Sequence, residues 1–406
     1  MRAFKCNICN SNRHSASLNL GKQPIIHHLK KLKNDESYKF NFNIFVCRKC
    51  GHCQIKNPIK QEILYKNYYT PSHWKNVPHA DLLINKCISI YNLNNKSKIF
   101  DIGANDGSFL KKFKNLGFEN ISGIEPANDV YKLSQKLNLK IYNDYFSSHF
   151  LKKIKNKKFD VVFVRHVLEH IHDLNKFLKC AYKIIKTSSS GKNGGLIIEV
   201  PDHSGYTSNL DYTFWEEHIN YFTIDTLNKL LNQNKFRIIH FETTLFSGRT
   251  IMVFAEKNNT NSFFLKNYNY KNNFYNIQKF FFRFNEFKKK FNLFIKKNNK
   301  DFVIYGCGAR SCNFINFINN SKKIKYFIDD NKKKQNLFVP GCNLPIKEFS
   351  KKNIKNKIIL LGVNTENEHK IIEKCLKFKT NVKNIFSILP PSRILIPFWK
   401  KMIDNF

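Results

Sequence analysis

The chain has no apolar run long enough to span a bilayer and no secretory-type hydrophobic segment near its start, so it reads as a cytoplasmic protein. It is also poor in arginine. Of its 69 basic residues, 9 are Arg and 60 are Lys. A guanidinium is the better fork for phosphates and base edges. The net charge of +39 is spread along the chain among Asn, Ile and Phe, which points to solvated faces and makes nucleic acid an unlikely partner. The 11 cysteines have no oxidising context, and in a cytosolic chain they are more often metal ligands or buried thiols than disulfides. At 406 residues the chain can hold two or three domains.

The rest is organised around Lys98 to Pro126, KIFDIGANDGSFLKKFKNLGFENISGIEP, which reads as strand, turn, helix, strand. Ile99 and Phe100 are β-prone, Gly103 and Gly107 bracket a polar turn, and Phe109, Phe113 and Leu116 recur at helical spacing. A second strand, Ile121 to Ile124, ends in Glu125 and Pro126. An acid at that tip can accept hydrogen bonds from both hydroxyls of a ribose, so the unit predicts an adenosine ligand. Asn105 and Asp106 lie within the turn, and the two acids, Asp101 before it and Asp106, would repel a pyrophosphate but suit a sulfonium and an ammonium. D-I-G-A-N-D-G resembles the first motif of class I S-adenosylmethionine (SAM) methyltransferases. Another nucleotide, or a purely structural turn, is the competing reading.

Two C-x2-C knuckles, Cys6/Cys9 and Cys47/Cys50, stand 37 residues apart near the start. Together they supply four thiolates, enough to close a tetrahedral zinc shell with no open position. The predicted Zn2+ is therefore structural, and Cys53 is left as a buried thiol. Between Glu62 and Trp74, Tyr65, Tyr68 and Tyr69 form an aromatic loop that either packs the zinc module on the next domain or brings a hydroxyl to substrate.

Helix and strand then alternate to about Lys257, as in a doubly wound sheet. Asp144 and Phe146 are a candidate wall for the adenine. A strand from Phe159 to Val164 runs into Arg165-His166-Val-Leu-Glu169-His170, at the sheet end where ligands bind. His166 and His170 are candidate functional residues there. Another strand, Gly195 to Val200, ends at Glu199-Val-Pro201. The densest ionisable cluster follows, in Phe214-Trp-Glu-Glu-His-Ile-Asn-Tyr-Phe-Thr223. A histidine beside a carboxylate is a suitable general base near neutral pH, and a salt-bridged loop is the alternative. Phe280, Phe284, Phe287, Phe291 and Phe294 then mark one apolar stripe on a helix, read as core between domains. Finally Phe302 to Tyr305, Gly306-Cys-Gly308-Ala-Arg310 and Ile324 to Ile328 with Asp329-Asp330-Asn331 repeat a Rossmann-type unit. Arg310 is a cation at that turn which could meet a phosphate.

The order of these pieces resembles the sugar C-methyltransferase family acting on nucleotide-linked deoxysugars, over nearly the whole chain. The resemblance rests on the knuckles, RHVLEHI, EVP, EEHINYF and the tail, where Asp329, Asp330, Asn331, Gln335, Pro340, Gly341, Pro345 and Ile346 match the family pattern. It implies an α/β protein: a zinc module over 1–75, a doubly wound SAM-binding Rossmann-like domain over 76–258, a helical linker over 259–299 and a second Rossmann-like domain over 300–406. It implies a SAM site made by Asp101, Gly103, Asn105, Gly107, Glu125, Pro126, Asp144, Phe146 and His166. It also implies proton removal beside a ketone and methyl transfer to the enolate, with His218 as base, Glu217 orienting it, and His166, His170, Tyr68 and Tyr69 nearby. The family's catalytic Y-H-E-H reads Trp215-Glu216-Glu217-His218 here, so a role needing a hydroxyl falls to Tyr68, Tyr69 or Tyr221. An O- or N-methyltransferase of a small molecule or of RNA, and a non-catalytic nucleotide-sugar-binding protein, remain as alternatives.

Overall fold

The computed structural model describes residues 4–64, 79–155, 157–187, 194–258, 270–318 and 322–406. In the N-terminal part β1 (His14–Pro24), β2 (Lys39–Cys47) and β3 (Cys53–Ile55) form an antiparallel meander. Five parallel strands follow: β4 (Lys98–Ile102), β5 (Asn120–Ile124), β6 (Lys140–Tyr142), β7 (Val161–Arg165) and β8 (Gly195–Pro201). Their near-continuous apolar runs, buried from Val161 to Val164 and from Gly195 to Val200, belong to a sheet covered on both faces. The chain then leaves this sheet. β9 (Asn220–Tyr221) pairs antiparallel with β3, becoming the fourth strand of the N-terminal sheet.

β10 (Phe236–Leu245) and β11 (Arg249–Lys257) return as an antiparallel edge, giving the seven-stranded order β10-β11-β8-β7-β4-β5-β6. The winding reverses between β4 and β7, and the carboxyl ends of these strands frame the crevice where such sheets bind ligands. The sequence places the strand before Arg165 at Phe159. The ladder instead begins at Val161, because Phe159 is bonded to the backbone of Ile184 in an isolated bridge region.

The C-terminal part is a five-stranded parallel sheet, ordered β14-β13-β12-β15-β16, from β12 (Phe302–Tyr305), β13 (Ile324–Ile328), β14 (Ile346–Lys347), β15 (Ile358–Leu361) and β16 (Ile385–Ser387). The helix Tyr270–Lys297 carries the predicted stripe: Phe280, Phe284, Phe287 and Phe291 are buried and Phe294 partly so. The stripe joins one apolar cluster that also takes in Phe42 and Ile44 of β2, Tyr212 and Phe214, and Phe314 and Trp399 of the C-terminal part. Tyr212 stacks on Phe280 at 4.5 Å, and Phe287 meets Trp399 edge-on at 4.5 Å. No helix among the described residues is long and apolar enough to cross a membrane.

Phe287 lies where the three parts share one core, so Phe287→Ala should cost about 3–5 kcal/mol of stability. The check is the denaturation midpoint, and an unchanged midpoint would show that the stripe is not a common core.

Candidate active site

The two knuckles come together. Cys47 closes β2, Cys50 ends the following turn, and Cys6 and Cys9 lie in the loop before β1. The Sγ atoms of Cys6 and Cys50 are 3.5 Å apart, those of Cys9 and Cys47 are 3.6 Å apart, and all four lie within 4.8 Å of one another. Four sulfurs at the vertices of a zinc tetrahedron sit roughly 3.8 Å apart, so the donor set fits Zn2+. Hydrogen bonds among the four thiols lower Cys9 and Cys47 and raise Cys6 and Cys50, as expected of sulfurs crowded this closely. Cys53, with its pKa raised by burial, is a core thiol on β3.

At the crevice, Gly103 and Gly107 hold left-handed φ of +78° and +79°, which the turn after β4 requires. A Cβ at Gly103 would meet Val167 at 2.4 Å, so the turn after β7 presses directly on it. The Glu125 carboxylate at the tip of β5 accepts Asn105 N (2.9 Å) and Ala127 N (2.8 Å). Asp101 is buried, Oδ1 has no hydrogen-bond partner, and burial, opposed by Arg165, raises its pKa to about 7. An orphaned buried acid beside a second acid calls for a cationic ligand, which fits the ammonium and sulfonium of SAM. Asn143 Nδ2 donates to the carbonyls of Glu125 and Pro126. Asp144 is paired with Lys153 at 2.5 Å, and Phe146 packs edge-on against Phe177 at 5.2 Å.

The turn after β7 is densely ionised. His166 adopts φ +51°, a conformation costly for a non-glycine residue and common at functional turns. Its amide donates to Glu199 O at 2.8 Å. Its ring stands 3.6 Å from the Glu199 carboxylate and 3.5 Å from that of Glu169. Burial alone would lower its pKa, but these carboxylates outweigh it and raise the value to about 9. Glu199 is also held by Arg165 Nε (2.9 Å) and by His79.

The loop from Asp211 to Tyr221 meets this turn. Ile219 N donates to Glu169 O (2.8 Å), and Asn220 Nδ2 donates to Ile171 O (2.8 Å). On its other side Ile55 N donates to Ile219 O at 2.9 Å as β3 and β9 pair. His218 is therefore clamped between the zinc-module sheet and the end of β7. Its ring centroid lies 4.9 Å from that of His170 and 4.7 Å from Trp215. Burial first, then the charges of His170, His166 and Arg310, hold its pKa well below the usual value. His170 Nδ1 donates to Glu217 O at 3.0 Å, and the ligand atoms of Glu169, His170 and His218 converge within 4.8 Å.

Two expectations change. Glu217 does not orient His218: its carboxylate is ion-paired with His27 of the N-terminal module, with its second oxygen 3.8 Å from His170 Nδ1. A turn through Glu216 and Glu217, closed by His218 N donating to Trp215 O at 3.1 Å, separates the two side chains. Arg310 does not offer a free cation to a phosphate. It is buried and bound to Asp211 (2.6 Å), Thr213 Oγ1 (3.0 Å) and Ser247 O (2.7 Å). The Rossmann-type acids of the tail are likewise engaged internally, Asp329 by Cys307 N (2.9 Å) and Asp330 by Tyr305 OH (2.9 Å). Tyr221 OH donates to Trp215 O at 3.2 Å. Tyr68 and Tyr69 lie outside the described residues. Sequence reasoning missed His27 and His79. Their partners are more than a hundred positions away, and neither stands in a motif; Glu199, at the end of a buried strand, could have been found from that position alone.

Family models match in the same order as these parts: a zinc binding domain over residues 6–65, a methyltransferase domain over 80–241 and a C-methyltransferase C-terminal domain over 268–389. The C-methyltransferase NovU of Streptomyces niveus is 22% identical over 258 residues, a match covering 62% of this chain and 60% of the relative's length. Among solved structures, a SAM-dependent methyltransferase from Clostridium acetobutylicum is 14% identical, covering 48% of this chain and 95% of its own (TM-score 0.36). One from Archaeoglobus fulgidus is 17% identical, covering 44% and 94% (TM-score 0.34).

Cys50→Ser should abolish stoichiometric zinc in metal analysis and lower the denaturation midpoint. Zinc retained in full would remove the four-thiolate assignment. A second test concerns pH. A histidine whose pKa is raised to about 9 contributes stability that is complete below about 6.5 and is lost as pH rises through 9. His166→Asn should flatten the fall in denaturation midpoint over that window, and an unchanged slope would contradict the ion-paired His166.

Proposed function

We propose that this chain, an S-adenosylmethionine-dependent methyltransferase with a zinc-binding module and a C-methyltransferase C-terminal domain, methylates a carbon of a nucleotide-linked keto-deoxysugar. The observation that carries the reading is His218, buried and clamped by main-chain bonds beside the crevice whose acids suit SAM. SAM supplies an electrophilic methyl group. Asp101 would meet its ammonium and Glu125 the ribose hydroxyls, with Gly103, Asn105, Gly107 and Pro126 shaping the pocket and Asp144, Phe146 and His166 at its edge.

A carbon beside a ketone is acidic enough for an imidazole to deprotonate when the enolate is stabilised. His218 suits that task because burial and positive neighbours keep its imidazole neutral near pH 7. The charged His166, raised to about 9, puts a cation on the same turn, where it would favour the developing charge of an enolate oxygen. Glu217 stabilises the loop through His27. Tyr68 and Tyr69 are the candidates for a hydroxyl near substrate, since Tyr221 is committed to a backbone carbonyl. Carbon as the methyl acceptor is supported by the similarity to the C-methyltransferase NovU and by the C-terminal family match, and the nucleotide-linked sugar by the motif resemblance in the sequence.

The test is mass spectrometry of protein incubated with SAM and a panel of nucleotide-linked 4-keto-6-deoxysugars in deuterated water. Gain of one methyl, with deuterium exchange at the adjacent carbon lost in His218→Ala, is expected. Methyl gain without exchange would replace the reading with transfer to a hydroxyl or amine.

A further inference from the structure

We propose that His27, carried by the zinc-binding module, is a positioning residue of the transfer site: it holds the Glu217 carboxylate so that His218 keeps an uncommitted imidazole. The inference rests on the reading of His218 as the base. His27 lies just beyond the end of β1, where the adjoining Ile26 N donates to Glu216 Oε1 at 2.8 Å. Asn313 of the C-terminal part binds the other oxygen of Glu216, so this corner of the loop is gripped from both sides.

The His27 Nε2 atom faces two loop groups, Glu217 Oε1 and Trp215 Nε1, the latter at 3.0 Å. A protonated Nε2 donates to the carboxylate, and a neutral one accepts from the indole. An indole N–H can only donate, so Trp215, standing where the resembling family has tyrosine, competes with the Glu217 carboxylate for this nitrogen and bonds to it only when His27 is neutral. Burial lowers the pKa of His27, but the charge of Glu217 and its hydrogen bond prevail and raise it above the ordinary value. The charged and titratable groups facing His27 are Glu217 and Glu216 on the loop, Lys334 from the C-terminal part and His28 beside it.

Glu217 is only 2% exposed. A buried carboxylate that loses its cation is strongly unfavourable and turns to another partner. The other oxygen of Glu217 already lies 3.8 Å from His170, whose ring touches that of His218. Released from His27, the carboxylate would stabilise the protonated forms of this histidine pair. A protonated His218 cannot accept a proton from carbon. His27 therefore keeps the negative charge on the far side of the loop from the base.

The experiment follows the His218 imidazole by NMR titration in the zinc-loaded protein, with its resonance identified by its loss in His218→Asn. His27→Leu should shift the titration of His218 upward by about 1 pH unit. His27→Gln, whose side-chain amide can still donate from the Nε2 position, should stay near wild type. In Glu217→Gln, adding His27→Leu should move nothing further. The rate of methyl transfer in His27→Leu should fall about tenfold on the acid side, the loss of free base that such a shift produces, with SAM affinity unchanged. Titrations that coincide in all variants, or a Gln variant as impaired as Leu, would overturn the role of His27. The titration needs no substrate, so it stands or falls separately from the identity of the methyl acceptor. If His27→Leu fails to fold, His27→Ala takes its place with the same upward shift of His218 expected, and a titration that coincides with wild type would overturn the role.

Discussion

The pairing of β3 with β9 is the contact on which the site depends. β3 begins three residues after Cys50, and β9 begins two residues after His218. A short run of backbone hydrogen bonds thus joins the thiolate cluster to the loop that carries His218. The opposite face of the loop is tied to the end of β7 through Ile219 and Asn220. Backbone bonds do not depend on side-chain rotamers, so His218 is placed by main chain on both sides.

The other two grips on the loop use charge. Arg310 takes Asp211, and Asn313 takes Glu216, both from the helix Ala309–Ile318 that follows the glycine turn of the tail. The Rossmann-type turn, a familiar place for a phosphate, here presents its first helical turn to a protein loop. Asp329 accepts from the backbone of Cys307 and Asn331, and Asp330 from the side chains of Tyr305 and Lys374. The C-terminal part thus serves as a wall of the site, with the Phe-rich helix filling the space behind it.

Much of this was legible in sequence where the signal is local. Gly103, Gly107 and Glu125 announce themselves by spacing within one strand-turn-helix-strand unit, the four cysteines by their two knuckles, and the Phe stripe by its helical period. The side-chain grips on the loop were not legible. His27 and Trp215 are 188 positions apart, Arg310 and Asp211 are 99 apart, and Asn313 and Glu216 are 97 apart. No periodicity links residues at such separations. The adjacency of Glu217 and His218 misled for a related reason, since neighbours on an extended or turning chain point to different sides. Arg310 looked free because a sequence shows a charge without showing the acid that meets it.

The fourth strand of the N-terminal sheet has a consequence for how the chain is made. β1, β2 and β3 emerge from the ribosome early, yet Asn220 and Tyr221 follow only after the whole parallel half of the second sheet has been synthesised. Until then β3 is an open edge, able to template pairing with other chains. The four cysteines of the cluster, in contrast, are all present by residue 50. Metal capture can therefore order the hairpin before its missing strand exists, leaving the last step of assembly to a long-range closure of the slow, non-local kind.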